Sequence, residues 1–311
     1  MRNPTIRRRT TGSLAAATAA TLALVLAGCA AVPPPQVAAG PTPSSLVPVS
    51  ASPSAVASTP SLATSAPVSQ SASPKATPTP TPTQTKPTIS PAAKKVYGSC
   101  LNKTINFWAR GACVTLVQKQ LRKLKFYSGP VNGTYGVSTI NALINYQRSR
   151  GIRGTGVVAK LTWTALATKQ PALPKVLPKQ CLTKGVVLCV DEAHRRLTYL
   201  KSGKVIKEIK IRVGGFNSHP KTKQWRVFPT ANGTWKVYNK MVSPPSENYG
   251  PGAMPYSVMF YPDMYVHYSP DFHRWGYSRS SHGCVNVGSL KDAIWFFKNT
   301  PIGAKVYTFG M

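Results

Sequence analysis

The stretch Ser281-His282-Gly283-Cys284-Val285-Asn286, with His267 upstream of it, is the most informative part of this 311-residue sequence. A free thiol is only a few per cent ionised near neutral pH, so a nucleophilic cysteine needs an imidazole or amide dipoles beside it. Cys284 has small or polar neighbours and follows two histidines, one of them two residues away. The pattern therefore predicts a thiol nucleophile, with His267 and His282 as the candidates for its base.

The sequence around this stretch has the pattern of a β domain. Short β-branched or alternating runs, separated by Gly, Pro and Asn, occupy residues 186–190, 197–200, 204–213 and 234–239. After the stretch, Ser289-Leu290-Lys291-Asp292 has the spacing of a capping box, which predicts the start of an apolar helix through Trp295 and Phe296. Residues 185–311 are therefore predicted to form a mainly β domain.

Several motifs in this region resemble the L,D-transpeptidase catalytic domain of the YkuD type. The block Ser281-His282-Gly283-Cys284 is the most specific, and Tyr265-Val266-His267 matches the strand that carries the family's histidine. Gly214-Gly215 and Phe228-Pro229-Thr230-x-x-Gly233-Thr234-Trp235 resemble the family's Pro-Thr-x-Gly-Thr region, with one extra residue before the glycine. The resemblance implies a β-sandwich catalytic domain.

The resemblance also implies roles for the residues near the thiol. Cys284 is the nucleophile and His267 its base, oriented by the backbone carbonyl of Tyr268. His282 is a wall of the catalytic loop, with its amide and those of Gly283 and Cys284 facing the oxyanion. Glycine at 283 permits the backbone angles that such an arrangement requires.

Other residues are candidates for catalysis or substrate contact. Ser281 belongs to the catalytic block, and Asn286 either polarises a substrate carbonyl or ties down the loop. Four further side chains are expected to form a lid or wall for substrate, with aromatic packing as the alternative role for each: Tyr249, Met254, Tyr256 and Trp275.

The reaction implied by the resemblance joins two peptidoglycan stems. The family cuts the bond between residue three of a tetrapeptide stem and its terminal D-Ala. The acyl group then passes through a Cys284 thioester to the side-chain amine of residue three on another stem, giving a 3→3 cross-link. Two alternatives stay open: an L,D-carboxypeptidase that releases D-Ala to water, and a wall-binding lipoprotein without catalysis.

No metal or cofactor is expected. A zinc site is disfavoured because the spacing matches no usual pattern of paired ligands for the four nearby candidates, His267, His273, His282 and Cys284.

Residues 98–170 have helical periodicity. Apolar residues recur every three or four positions at Val114, Val117 and Leu121. A second helix is expected after Ser138 as its candidate cap, with Ile140, Leu143, Ile144 and Gln147 on one face. Together with the turn at 128–133 and a third element over 162–167, the segment resembles the three-helix peptidoglycan-binding domain. The alternative is a helical spacer without a ligand. As a separate wall-binding module, its deletion is expected to spare turnover on soluble fragments.

The N-terminal part is predicted to be a targeting segment and a tether. Residues 1–28 combine a basic start with a short apolar run, which is typical of a secretory signal. Leu26-Ala27-Gly28-Cys29 resembles a lipobox, so Cys29 is expected to be lipidated, an ordinary signal peptide being the alternative. Residues 29–97 are rich in Pro, Ser and Thr and are predicted to be a disordered linker; residues 171–184 are a connector.

Charge and compartment restrict the expected partners. The formal net charge is +32, and no Asp or Glu precedes Asp191. Nucleic acid is the usual partner of such a chain, but an exported protein meets anionic wall polymers, peptidoglycan carboxylates or a membrane surface instead. We expect an extracytoplasmic monomer, anchored to the outer face of the membrane and reaching into the cell wall, with peptidoglycan stems as partners.

Six cysteines are present. With Cys29 and Cys284 assigned to a lipid and to chemistry, four remain, which in an oxidising compartment predicts two disulfides with three possible connectivities. The local pairs Cys100–Cys113 and Cys181–Cys189 are favoured because each brackets the start of a domain, and a Cys113–Cys181 staple between the domains stays open.

Overall fold

Helices build the first folded part of the chain. The computed structural model describes residues 88–310; the expected signal peptide, Cys29 and the linker up to residue 87 lie outside them. The helices are α1 (Pro91–Tyr97), α2 (Ala112–Lys123), α3 (Val137–Ser149) and α4 (Lys160–Ala167). The last three are the predicted helices. Among residues 88–310, no helix is both long and apolar enough to cross a bilayer.

The helical domain differs from the prediction at two boundaries. Helix α1 lies within the range 29–97 assigned to the linker, and its last residue, Tyr97, is buried with its ring edge against Trp163. The folded domain therefore begins before residue 98. Helix α3 begins at Val137 after Gly136, so Ser138 lies in its first turn and does not cap it.

Disulfides join the two local cysteine pairs. Cys100 is bonded to Cys113, which ties the 3-10 turn Gly98–Asn102 to the start of α2. Cys181 is bonded to Cys189, which ties the connector to the first strand of the next domain. Cys284 is free and buried.

The second domain is mainly β, as predicted. Its strands are β1 (Val186–Asp191), β2 (Arg196–Lys201), β3 (Lys204–Arg212), β4 (Phe216–Ser218), β5 (Trp225–Val227), β6 (Gly233–Lys236), β7 (Asn239–Met241), β8 (Ser257–Tyr261), β9 (Met264–Tyr268), β10 (Val285–Val287) and β11 (Lys305–Phe309). Two helices accompany them, α5 (Pro270–Trp275) and α6 (Leu290–Asn299).

Nine of these strands form one continuous curled sheet. Their order is β6-β11-β1-β2-β3-β10-β9-β8-β7, with β4 and β5 as a separate hairpin. Residues after β6 connect the two ends of the sheet, since the amide of Val237 donates to Ala304 O and that of Tyr238 to Met259 O. The curled sheet and α6 enclose one apolar core. The side chain of Ser289 caps α6, as the capping box predicts.

The hairpin β4–β5 connects the two domains. Phe216 of β4 is fully buried and belongs to the apolar core of the helical domain. Its ring lies 4.3 Å from that of Phe107 and 5.4 Å from that of Trp225, measured between centroids. The helical domain is therefore packed against the β domain rather than separated from it.

Candidate active site

Strands β9 and β10 bring the expected catalytic residues together. They pair in parallel, with Val266 opposite Val285 and His267 opposite Asn286. Because side chains alternate between the faces of a strand, Cys284 lies on the same face as Asn286 and His267. All three line a cavity of about 210 Å³.

Arg212, Asn286 and His267 form a hydrogen-bonded row across β3, β10 and β9. The Arg212 guanidinium can only donate, and its Nε and Nη2 lie 3.0 and 2.9 Å from Asn286 Oδ1. Asn286 Nδ2 therefore faces His267, 2.9 Å from Nε2. Because Nδ2 donates, Nε2 accepts, and the imidazole proton lies on Nδ1, which donates to Tyr268 O at 2.6 Å. The row fixes one tautomer of the imidazole.

Burial keeps both the imidazole and the thiol neutral. It lowers the pKa of His267 to about 4, against the hydrogen bond to Tyr268 O, which acts in the opposite direction. It also raises the pKa of the Cys284 thiol to about 11, outweighing the backbone hydrogen bond from Tyr265. Desolvation therefore penalises the thiolate in the resting site more than its neighbours stabilise it.

The resting thiol and the imidazole have different hydrogen-bond partners. Cys284 Sγ lies 3.6 Å from the backbone oxygen of Asp263, whereas Nε2 of His267 is occupied by Asn286. Transfer of the thiol proton to His267 therefore requires Nε2 to exchange its partner.

The backbone of the Cys284 loop is fixed by hydroxyl groups. Ser281 Oγ donates to Cys284 O at 2.6 Å and accepts from the amide of Gly283 at 3.2 Å. Thr230 Oγ1 donates to Gly283 O at 2.8 Å. Gly283 has φ 117°, and a Cβ there would lie 3.2 Å from Pro229 O, so this position requires glycine. Of the three amides expected to face an oxyanion, that of Gly283 is already engaged by Ser281.

His282 lies in the wall of the site. Its Nε2 donates to Ser218 O at 2.8 Å, and its ring packs against Phe228 and Tyr249 at centroid distances of 4.8 and 5.2 Å. Burial lowers its pKa. Because Nε2 carries the donated proton, this histidine has the environment of a positioning and wall residue rather than of a base for Cys284.

Two cavities meet at the nucleophile. The first is the cavity of about 210 Å³ that contains His267, and the second, of about 660 Å³, lies on the side of Asp263. Both are lined by Cys284, His282, Tyr249 and Met254. Met254 and Tyr249 thus lie between the two cavities that lead to the thiol, in the position expected of lid or wall residues.

Tyr256 and Trp275, expected to contact substrate, line neither cavity at Cys284. The Tyr256 ring packs edge-on against Phe297, 5.7 Å away, because the chain turns there with φ 56° before entering β8. Trp275 ends α5 and borders a separate groove between the domains, with the Arg279 guanidinium 4.5 Å from its ring. The structure therefore places these two side chains outside the cavities at the thiol, and Tyr256 has the aromatic packing that was its alternative role.

Arg212 is not among the residues that the sequence pattern singles out. Strand alternation places it on the face opposite Ile211 and Val213, a face that a sequence pattern assigns to solvent. Helix α5 and its cap cover that face, so Arg212 Nη2 reaches Ser269 Oγ at 3.3 Å and the Asp271 carboxylate at 2.9 Å. Arg212 is almost fully buried, and burial lowers its pKa.

Comparison with known proteins agrees with this geometry. Residues 185–308 match the family of L,D-transpeptidase catalytic domains known as YkuD, and residues 110–166 match a family of peptidoglycan binding domains. No curated protein matches the chain significantly.

Similar solved structures include L,D-transpeptidases at low identity. One from Xylanimonas cellulosilytica is 24% identical over 67% of this chain and 98% of its own, with a TM-score of 0.36. One from Stackebrandtia nassauensis is 23% identical over 66% and 95%, with a TM-score of 0.35. One from Mycobacterium smegmatis is 23% identical over 40% and 58%, with a TM-score of 0.30. The family matches identify residues 185–308 as an L,D-transpeptidase catalytic domain of the YkuD family, which follows a peptidoglycan-binding domain over residues 110–166.

Proposed function

We propose that this enzyme forms 3→3 cross-links in peptidoglycan through a thioester on Cys284. The observation that carries the proposal is the meeting of two cavities at one buried thiol, beside an imidazole whose Nε2 is free of a proton. A transpeptidase needs two approaches to its nucleophile, because the acyl donor and the amine acceptor must both reach the same carbon.

The reaction consumes one peptide bond and forms another. His267 Nε2 takes the proton of Cys284, and Sγ attacks the carbonyl carbon of stem residue three. The bond to D-Ala breaks, and the imidazolium gives its proton to the leaving amine. The side-chain amine of residue three on a second stem then attacks the thioester and loses a proton to His267. The thiol is restored, and one D-Ala is released for each cross-link.

The larger cavity favours an amine as acceptor over water alone. Asp263 and Glu247, two of the seven acidic residues of the chain, line it on a protein of net charge +32. Carboxylates attract the ammonium form of a stem side chain. The second candidate, an L,D-carboxypeptidase, needs only water at the thioester, so its reaction does not require carboxylates in this cavity.

We further propose the cellular setting. The peptidoglycan-binding family match supports wall binding by the helical domain, and cell-wall substrate implies an extracytoplasmic location. A lipid on Cys29, a linker that spans part of the wall and contacts with anionic wall polymers complete this proposal, with the chain acting as a monomer and without nucleic-acid partners.

The test uses the full mature chain with a disaccharide tetrapeptide. Intact-mass spectrometry should detect loss of D-Ala and an acyl adduct on the wild type, and product analysis should detect a 3→3 dimer. Cys284→Ala is the control and should form neither adduct nor product. A tripeptide product without dimer at millimolar stem would support the carboxypeptidase instead, and a wild type that never gains mass would refute both enzymatic readings in favour of a non-catalytic wall-binding protein.

A further inference from the structure

Helix α3 of the peptidoglycan-binding domain is hydrogen-bonded to the backbone of the catalytic domain. Asn141, which is 2% exposed, donates from Nδ2 to Phe216 O at 3.0 Å and accepts on Oδ1 from Phe216 N at 2.8 Å. The side-chain amide thereby pairs with β4 as a neighbouring strand would. Both polar groups of Phe216 are buried, so no solvent replaces this partner if it is lost.

The backbone held by Asn141 supports the start of the catalytic loop. Residues 213–215 pair with Ser281, through Ser281 N to Val213 O at 3.2 Å and Gly215 N to Ser281 O at 3.4 Å. Ser280 Oγ also donates to Phe216 O at 3.0 Å. A Cβ on Gly215 would lie 2.7 Å from Asn141 Oδ1 and 2.8 Å from Ser280 Cβ. Glycine is therefore required here because helix α3 and the catalytic loop both occupy the space that a Cβ would need.

Arg148, two turns further along α3, makes a second link. Its Nη1 donates to Gly214 O at 2.8 Å, and its Nη2 lies 3.3 Å from the carboxylate of Glu192 in the catalytic domain. Gly214 N in turn donates to Thr230 Oγ1, and that hydroxyl donates to Gly283 O. Arg148 is therefore connected to the residue preceding the nucleophile through Gly214 and Thr230. The ion pair is buried on both sides, with side chains 2% and 0% exposed.

We propose that Asn141 and Arg148 are positioning residues for the transpeptidase reaction, so that the helical domain forms part of the support of the Cys284 loop. They act through backbone 213–216, which sets where Ser281 and the amides after it stand. The inference rests on the proposed function, since it concerns the rate at which Cys284 becomes acylated. It also means that the helical domain is not a separable binding module: its deletion should abolish acylation of soluble substrates.

The test measures acylation of Cys284 by a carbapenem in the full mature chain, by intact mass over time at several concentrations. Asn141→Ala should lower the limiting rate constant about tenfold or more, since small misplacements of reacting groups have effects of this size. The carbapenem concentration at half-saturation should change much less. Asn145→Ala is the matched control one turn away, where the side chain has no hydrogen bond in the described structure, and it should acylate as wild type does.

A second control separates positioning from loss of stability. Gln147 bonds only within the helical domain, to Gly156 N, Val157 O and Thr162 Oγ1, so Gln147→Ala should lower the melting temperature without slowing acylation of the folded protein. If Asn141→Ala does not fold, the double variant Arg148→Met, Glu192→Gln removes the bond to Gly214 O without leaving a buried carboxylate unpaired. It should slow acylation in the same way.

The outcomes are distinct. Wild-type limiting rates in folded Asn141→Ala, or in the double variant, would overturn the inference, as would equal slowing by Gln147→Ala. In either case a normally acylated wild type leaves the proposed function intact. A wild type that is never acylated overturns the proposed function itself.

Discussion

Replacing Asn286 by Asp tests the hydrogen-bonded row at the nucleophile. The side chains have the same shape, and an aspartate oxygen still accepts from Arg212. The atom facing His267 Nε2 at 2.9 Å, however, changes from a donor to an acceptor. Two acceptors at this distance repel each other unless the imidazole takes up a proton, so the substitution should stabilise the imidazolium.

The size of the effect follows from the pKa of His267, about 4 in the wild type because of burial. A carboxylate in contact raises an imidazole pKa by about one to three units, which places the variant between about 5 and 7. Only the neutral imidazole can take the thiol proton. At pH 5 it makes up about nine-tenths of the wild type and about one-eleventh of a variant with a pKa near 6, so the acylation rate should fall about tenfold.

The assay is the rate of Cys284 acylation by a carbapenem between pH 4 and pH 8. In the wild type the rate should decline only as the pH falls towards 4, since that is where His267 gains its proton. In Asn286→Asp the decline should begin one to three units higher. Asn286→Ala is the control, because it removes the amide without adding charge. In this variant the rate should again decline only as the pH falls towards 4. If the acylation rates of Asn286→Asp and of the wild type decline over the same pH range, the tautomer argument is refuted.

Three further predictions concern other groups. His267→Ala should slow acylation by about 10²-fold or more, as loss of a general base does, whereas His273→Ala, whose Nδ1 faces Gly288 O, should have little effect; equal losses would remove His267 from the role of base. Burial raises the pKa of Glu192 to about 7, so the stability it contributes is complete below its unfolded pKa and declines as the pH rises through 7. In chemical unfolding, the free energy of unfolding of the wild type should be lower at pH 8 than at pH 5. The contribution of Glu192 to this difference should be absent in Glu192→Gln. The disulfide between Cys100 and Cys113 closes a loop of 13 residues, so replacing both by Ser should destabilise the helical domain by about 3 kcal/mol in thermal unfolding; an unchanged transition would contradict this.

The sequence predicted the parts of the fold that depend on local patterns. The apolar spacing of Val114, Val117 and Leu121 gives the buried face of α2, and the capping box at Ser289 marks the start of α6. The Ser281-to-Asn286 block indicated the YkuD family, and residues 185–308 match that family. The residues within each of these motifs lie a few positions apart, so their spacing constrains the local geometry.

The features that the sequence did not predict depend on contacts between distant residues. Asn141 and Phe216 are 75 residues apart, and Arg212 and Asn286 are 74 residues apart. No local pattern distinguishes a buried Asn in a helix, or an Arg at a strand end, from a solvated one. Tyr256 is a similar case, since an aromatic residue near a site can equally well serve in packing, and its ring lies against that of Phe297.

The ion pair between Arg148 and Glu192 also restricts how this protein can change during evolution. No acidic residue precedes Asp191, so the helical domain contains no carboxylate of its own that could pair with Arg148. Recombination that joined this helical domain to another catalytic domain would bury an unpaired guanidinium unless the new partner supplied a carboxylate at the same place. An exchange of either domain would therefore require a compensating change in the other.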